Sequence, residues 1–178
     1  MLKKQSSTEE TIAAPSTGYD SKSKTILFAT DLSPECRAAL DWATILARNF
    51  DSRLLIVHVE QPFVPYGGGE IYSDQLFDHH SRVLLKLLHE VKPSNPHVPY
   101  CHRLVSGDPA TEVLRLASEI NPYMIVMSTH GRRGLPRVFV GSVAESIIRR
   151  ASCPVVVYKS ATVNGQTPVK ENPQEVKS

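Results

Sequence analysis

Five short apolar runs, separated by stretches of helical period, constrain the fold of this 178-residue chain more than any other feature. The runs cover 25–29, 54–59, 100–105, 124–127 and 155–158. The run at 54–59 is apolar nearly throughout, as expected of a strand covered on both faces. Between the first two runs, Cys36, Ala39, Leu40, Ala43, Leu46 and Ala47 recur at helical spacing. Leu76, His80, Val83, Leu84, Leu87, Leu88 and Val91 mark a long second helix, and Val113, Leu114, Leu116, Ala117 and Ile120 a third. A fourth starts near Ser142 and Val143. Strands alternating with helices in this way predict a Rossmann-like, doubly wound α/β fold: a parallel sheet with helices on both faces.

Local signals set the helix starts. Ser33-Pro34-Glu35 offers a cap, a proline for the first helical position and an acid for the first turn. Asp108-Pro109 repeats the arrangement, after Gly107. Ser142 and Glu145 have capping-box spacing, and Arg149 and Arg150 fall in the last turn of the same helix. Residues 1–23 and 160–178 lack periodicity and are rich in polar residues, so both are expected as disordered tails around a single domain at 24–159.

Composition narrows the function. Twenty basic residues are interspersed with eighteen acidic ones, for a formal net charge of +2, which argues against a dedicated nucleic-acid binder. No run approaches the length of a membrane span. Cys36, Cys101 and Cys153 are widely spaced and form no CxxC pair, so neither a disulfide framework nor a structural metal is expected, and the cytoplasm is the expected compartment. His97, Cys101 and His102 are close in sequence but straddle a proline-rich turn and an alternating strand, a poor arrangement for a metal.

The segment most suggestive of chemistry follows the run at 124–127. Ser128-Thr129-His130-Gly131 leads into a loop that ends at Gly141-Ser142, where the fourth helix begins. A strand, a glycine-bearing loop and a helix start in that order make an anion cradle, because glycine admits close backbone approach and the first N–H groups of a helix point at negative charge.

These residues resemble the universal stress protein family. The resemblance covers about 24–159 and rests on Phe28-Ala29-Thr30-Asp31, Val57-His58-Val59, Gly107-Asp108-Pro109 and the block from Ile125 to Val157. In nucleotide-binding members the signature is a glycine, two residues, a glycine, nine residues, then glycine and serine or threonine. Gly131, Gly141 and Ser142 match it, whereas Ser128 stands at the first glycine. The resemblance implies a five-stranded parallel sheet in the order 3-2-1-4-5 with four helices. It further implies ATP or AMP, with Mg2+ where the phosphates require it, bound at the strand ends.

On that resemblance, Asp31 contacts the adenosine end, Val59 holds adenine through its backbone, and Ala29 lines the base pocket or belongs to the core. Gly131, Gly141, Ser142 and Val143 meet the phosphates, and Arg132 neutralises them or simply forms a solvated basic loop with Arg133 and Arg137. For Asp31 the alternative is a loop aspartate stabilising a helix start. Ser128 is strained if its position needs a positive φ, and otherwise either intrudes on the ribose or donates to the ligand. His58 reads as a satisfied core histidine. The implied protein is a regulatory stress protein that dimerises through Val155–Tyr158. A dimeric interaction module of the same fold that binds no nucleotide is the alternative. The strand-end motifs of adenylyl-transferring relatives and a GxxxxGK[ST] loop are absent, and no nucleophile–base pair is visible, so no enzyme is expected.

Overall fold

The structure, a computed structural model, describes residues 10–13, 24–61, 74–128 and 141–159. The strands are β1 (Glu10–Ala13), β2 (Lys24–Ala29), β3 (Ser52–Glu60), β4 (Tyr100–Ser106), β5 (Met124–Ser128) and β6 (Val155–Tyr158). The helices are α1 (Cys36–Asn49), α2 (Asp74–His89), α3 (Pro109–Ile120) and α4 (Ser142–Arg150). One sheet runs β1-β4-β3-β2-β5-β6. Its five strands β2 to β6 are mutually parallel, in the expected 3-2-1-4-5 order.

The connections explain the two layers of helix. From β2 the chain steps outward through α1 to β3 and α2 to β4, then returns across β2 through α3 to β5 and on through α4 to β6. Right-handed crossovers running in opposite directions put their helices on opposite faces. Ile26, Phe28, Leu54, Ile56, Met124 and Val126 accordingly pack under α1 and α2, with Ala39, Leu40, Ala43, Leu84 and Leu88. The alternate residues Leu27, Leu55, Val57, Ile125 and Met127 pack under α3 and α4, with Val113, Leu116, Ala144 and Ile147. Each fully buried aliphatic side chain contributes about 1.5–3 kcal/mol, so the central strands carry much of the stability. No described helix is long and apolar enough to cross a membrane.

β1 is a correction within the expected N-terminal tail. Residues 10–13 pair antiparallel with β4, Thr11 opposite Arg103 and Ile12 opposite His102. Without them β4 would present an open sheet edge, and two β-branched residues suit the pairing. Four residues inside a polar stretch are too few for a periodicity to show. The rest of that tail, the other tail at 160–178 and the proline- and glycine-rich stretch 62–69 lie outside the described residues.

On β4, His102 is buried and donates Nε2–H to the Val91 carbonyl at 2.8 Å. Burial holds its pKa below the ordinary 6.5, against the pull of the Val91 bond and with help from His89 and Lys92. The unfolded chain therefore takes up this proton first, and stability falls as the pH drops through about 6.5 toward the folded value. Urea midpoints measured at about pH 7.5 and about pH 5.5 should show the loss on the acid side, and His102→Gln should shrink the difference.

Candidate functional site

Five parallel strands end on one side of the sheet, and the order reverses between β2 and β5. A crevice at such a switch point is the usual ligand position in open α/β sheets. The expected residues gather there. Ala29 ends β2, Val59 lies one residue from the end of β3, Ser128 ends β5, and Gly141, Ser142 and Val143 begin α4. Asp31 follows β2 by two residues. Gly131 and Arg132, with Arg133 and Arg137, lie outside the described residues.

The turn after β2 is heavily tied down. Thr30 N–H continues the ladder to the Val57 carbonyl at 2.9 Å, and Thr30 Oγ1 accepts the Leu32 N–H at 3.0 Å. Leu32 sits at φ 63°, a left-handed conformation that a branched side chain occupies only when its surroundings impose it. Asp31 Oδ1 accepts the Ser33 N–H at 3.0 Å and the Cys36 thiol at 2.9 Å. His58 donates from Nδ1 to the Thr30 carbonyl at 2.8 Å.

The helix start corrects the expected cap. α1 begins at Cys36, and its cap residue Glu35 makes no side-chain bond. Pro34 and Glu35 instead form a tight turn, with Cys36 N–H on the Ser33 carbonyl and Arg37 N–H on the Pro34 carbonyl, both at 3.1 Å. The Ser33 hydroxyl turns toward Cys36 Sγ at 3.7 Å rather than to a backbone donor. Asp31 thus does part of the local work expected of Ser33. It remains half-buried just beyond the end of β2.

Strand register reveals a feature the sequence reading missed. Ala29 lies opposite Val57 on one side and Met127 on the other. The next residues, Thr30, His58 and Ser128, therefore stand in a row across three strands, on the face that carries Phe28, Ile56 and Val126. All three are buried, at 7%, 6% and 9% exposure. A polar row at the end of an apolar sheet costs desolvation and survives only when hydrogen-bonded. Its signal in the sequence is that each residue directly continues a strand after an apolar run.

A second polar cluster closes the neighbouring strand end. Glu60 is 4% exposed, and its carboxylate accepts from Ser81 Oγ at 2.8 Å and lies 2.6 Å from His80 Nδ1. His80 was expected to pack on the apolar face of α2. Its side chain is instead 62% exposed and reaches back to pin the helix to β3. Gly107 N–H meets the Glu60 carbonyl at 2.9 Å. Gly107 takes φ +149°, and a Cβ there would come within 2.9 Å of Glu112 Cγ, so glycine is required. Asp108 then caps α3 as expected, its Oδ1 accepting from Thr111 N–H at 2.9 Å and Thr111 Oγ1 at 2.7 Å. Those bonds hold its carboxyl below the ordinary carboxylate range.

At α4 the expected capping box does not form. Gly141 is the cap, Ser142 is the first helical residue, and no side chain caps the end. Glu145 pairs with Arg149 at 2.6 Å instead, one turn further on. The first N–H groups of the helix, those of Ser142, Val143 and Ala144, have no intrahelical acceptor, and the Ser142 side chain is exposed beside them. This is the geometry of an anion-binding helix terminus. Among the described residues, no three or more His, Cys, Asp or Glu side chains gather as a metal site.

A five-stranded parallel sheet whose order reverses between β2 and β5, with helices on both faces, defines a doubly wound α/β protein. The chain belongs to the universal stress protein family, whose profile matches residues 22–159. A universal stress protein of Methanocaldococcus jannaschii is 33% identical over 141 residues, covering 76% of this chain and 82% of its own. The fold matches universal stress protein UspA from Lactobacillus plantarum with TM-score 0.57 and 19% identity, over 75% of this chain and 96% of that one. It also matches a universal stress protein solved with cAMP (TM-score 0.51, 19% identity, 77% and 97% covered). A universal stress protein from Archaeoglobus fulgidus solved with dAMP gives TM-score 0.50 and 20% identity, with 75% and 96% covered.

Ser128 stands where the nucleotide signature begins with glycine, and its backbone is not in the left-handed region. Serine is unstrained there, and its side chain lies on the α1 face of the sheet. Ser128→Gly should therefore bind AMP at least as well as the parent in a calorimetric titration. A loss of affinity would mark the hydroxyl as a ligand contact.

Proposed function

We propose that this protein binds an adenine nucleotide in the crevice between β2 and β5 and acts as a regulatory stress-response protein rather than an enzyme. The observation that carries the reading is the convergence of Asp31, the ends of β3 and β5, and the uncapped start of α4 on the switch point. The chemistry fits the parts of such a ligand. Half-buried Ala29 and Val59 offer an apolar bed for a base, and Val59 has backbone groups at the strand end. Asp31 is an acceptor for sugar hydroxyls. The N–H groups and hydroxyl at Ser142 suit phosphate oxygens, with Gly131 and Arg132 as the loop's contribution. ATP and AMP are both within this reading, and Mg2+ would arrive with the phosphates. Relatives solved with cAMP and dAMP support an adenosine monophosphate as the first ligand to test. The expected compartment is the cytoplasm.

Titration calorimetry with AMP and ATP tests the site. The parent should bind, and Asp31→Ala should weaken binding about tenfold or more, the loss of a charged hydrogen-bonding partner. Absence of heat and of a thermal shift at ligand on the order of millimolar would overturn the reading. It would favour a nucleotide-free interaction module, for which Ser128 in place of the first signature glycine is the supporting observation.

A homodimer through β6 belongs to the same proposal. β6 is the last strand of the sheet, and all four of its residues are half-buried. Ile125 N–H bonds the Pro154 carbonyl at 2.9 Å, which in a parallel ladder turns the N–H of Val156 and Tyr158 toward β5 and that of Val155 and Val157 outward. An apolar edge with outward donors invites a second copy, and a two-fold axis closes the pair. Val157→Pro removes an outward donor and leaves the β5 ladder whole. Sedimentation should show the parent as a dimer and Val157→Pro as a monomer. A monomeric parent at tens of micromolar, roughly the upper range for a stable interface, would count against the dimer.

A further inference from the structure

We propose that the flank of α1 carrying Trp42 joins β6 in one apolar surface, and that this surface packs against a second copy of the chain with Trp42 as its anchor. This rests on the homodimer reading above. Trp42 is the chain's only tryptophan and is 51% exposed, and Ile45, nearly one turn further on, is 48% exposed. A single exposed apolar residue means little, whereas a contiguous patch marks a contact surface. Ile45 and half-buried Leu46 lie beside Trp42 at the i+3 and i+4 positions, so the patch is continuous along the helix.

Contacts on the two flanks of α1 show which way the patch faces. Phe50, one turn beyond Leu46, lies against Tyr123, the residue before β5, with ring centroids 4.9 Å apart. On the opposite flank Arg48 lines a cavity with Val98 and Pro99, just before β4. Trp42, Leu46 and Phe50 follow one another at helical spacing, so Trp42 lies on the side of α1 toward β5 and β6. α1 reaches β6, whose Val156 and Tyr158 are half-buried against the same core as Leu46 and Phe50. Charge is divided the same way. Arg37 and Asp41 share the flank of Arg48 by their spacing, while the line of Ala38, Trp42, Ile45 and Asn49 carries none. An aromatic side chain on a surface depleted of charge is the composition of an interface core.

Size and symmetry favour a second copy as the occupant. β6 is four residues long, and of these Val155 and Val157 turn their donors outward. Strand pairing of that length falls short of the roughly 1,200–2,000 Å² that a stable complex buries. Side-chain surface next to the strand must supply the rest. Antiparallel pairing of β6 with its copy sets the two-fold axis normal to the sheet. Both α1 helices then lie on the same face, and their Trp42 flanks turn toward each other across the paired strands.

The experiment uses the full chain, with its single tryptophan as the probe. Sedimentation across a dilution series locates the dimer, and Trp42 emission and acrylamide quenching are read on the same samples. As the dimer forms, emission should move to the blue and quenching should fall. Trp42→Gln should raise the dimer dissociation constant about thirtyfold or more, the scale of losing an interface anchor, with the circular dichroism unchanged. Arg48→Gln, on the other flank, should leave the dimer as tight as the parent's. Val157→Pro should be monomeric, with Trp42 open to acrylamide. A dimer in which Trp42 stays open, or which is as tight with Trp42→Gln, overturns the surface and leaves the β6 dimer standing. Trp42 already shielded in the Val157→Pro monomer overturns it too, since the patch is then covered within one chain. A parent that stays monomeric at tens of micromolar, roughly the upper range for a stable interface, overturns the dimer and this surface with it.

Discussion

The structure depends on β2 being paired on both edges and covered on both faces. It bonds β3 on one side and β5 on the other, with Ile26, Leu27 and Phe28 fully buried between two layers of helix. A strand so enclosed meets solvent only at its ends, at exposed Lys24 and at half-buried Ala29, its carboxyl end. At that carboxyl end the chain turns into α1 on one face of the sheet, whereas α4, the helix that comes after β5, packs on the other. The crevice is a consequence of that divergence rather than an added feature. Whatever side chains end β2, β3 and β5 are placed on its floor by register alone.

That placement has an energetic cost, visible in the residues found there. Thr30, His58 and Ser128 replace apolar residues where the core reaches the crevice, and Glu60 sits buried two residues beyond His58 at the end of β3. Burying such groups without partners would cost several kcal/mol each on the roughly 2–7 kcal/mol scale of unpaired polar transfer. The Leu32 N–H bonds the Thr30 hydroxyl, the Thr30 carbonyl accepts from His58, and His80 and Ser81 bond Glu60. The same bonds immobilise the turn that carries Asp31. Strain at Leu32 fits this pattern, since a left-handed leucine persists only where its neighbours over-determine the backbone.

The fold was legible because its signals are local and repeated. The all-apolar stretch in β3 and the helical spacing in α1 and α3 mark buried strands and amphipathic helices without any tertiary information. Asp108 and Pro109 behaved as their residue types predict. The caps at Ser33 and Ser142 did not, although their spacing is equally good. At Ser33 the first turn tightened and Cys36 took the hydroxyl's attention. At Ser142 the helix began one residue early, and Glu145 found Arg149 instead. Capping is decided by differences of about 1 kcal/mol, within reach of a single competing partner. That Asp31 follows β2, Val59 nears the end of β3 and Ser142 opens α4 was legible from the strand and helix pattern. The buried polar row was not, because it exists only once three strands distant in sequence are placed in register. Cys36 was read as one residue of an apolar stripe, and nothing in its spacing announces that its proton faces a carboxylate.

The two edges of the sheet show how the fold distributes its risks. On the β4 side a short antiparallel strand from the chain's own N-terminal segment covers the backbone. On the β6 side the final strand is left with alternating donors directed away from the molecule. Its side chains are half-buried on both faces, Val156 and Tyr158 against one core cluster and Val155 and Val157 against the other. Natural sheets blunt free edges with charge, proline or a bulge inside the strand. Here Pro154 precedes the strand and Lys159 follows it, so neither interrupts the run of four. An edge that is apolar and uninterrupted is the one on which the proposed dimer would pair. β6 also pairs directly with β5, whose last residue, Ser128, lies in the polar row on the crevice floor. A partner strand docked on β6 would therefore be separated from the crevice by a single strand.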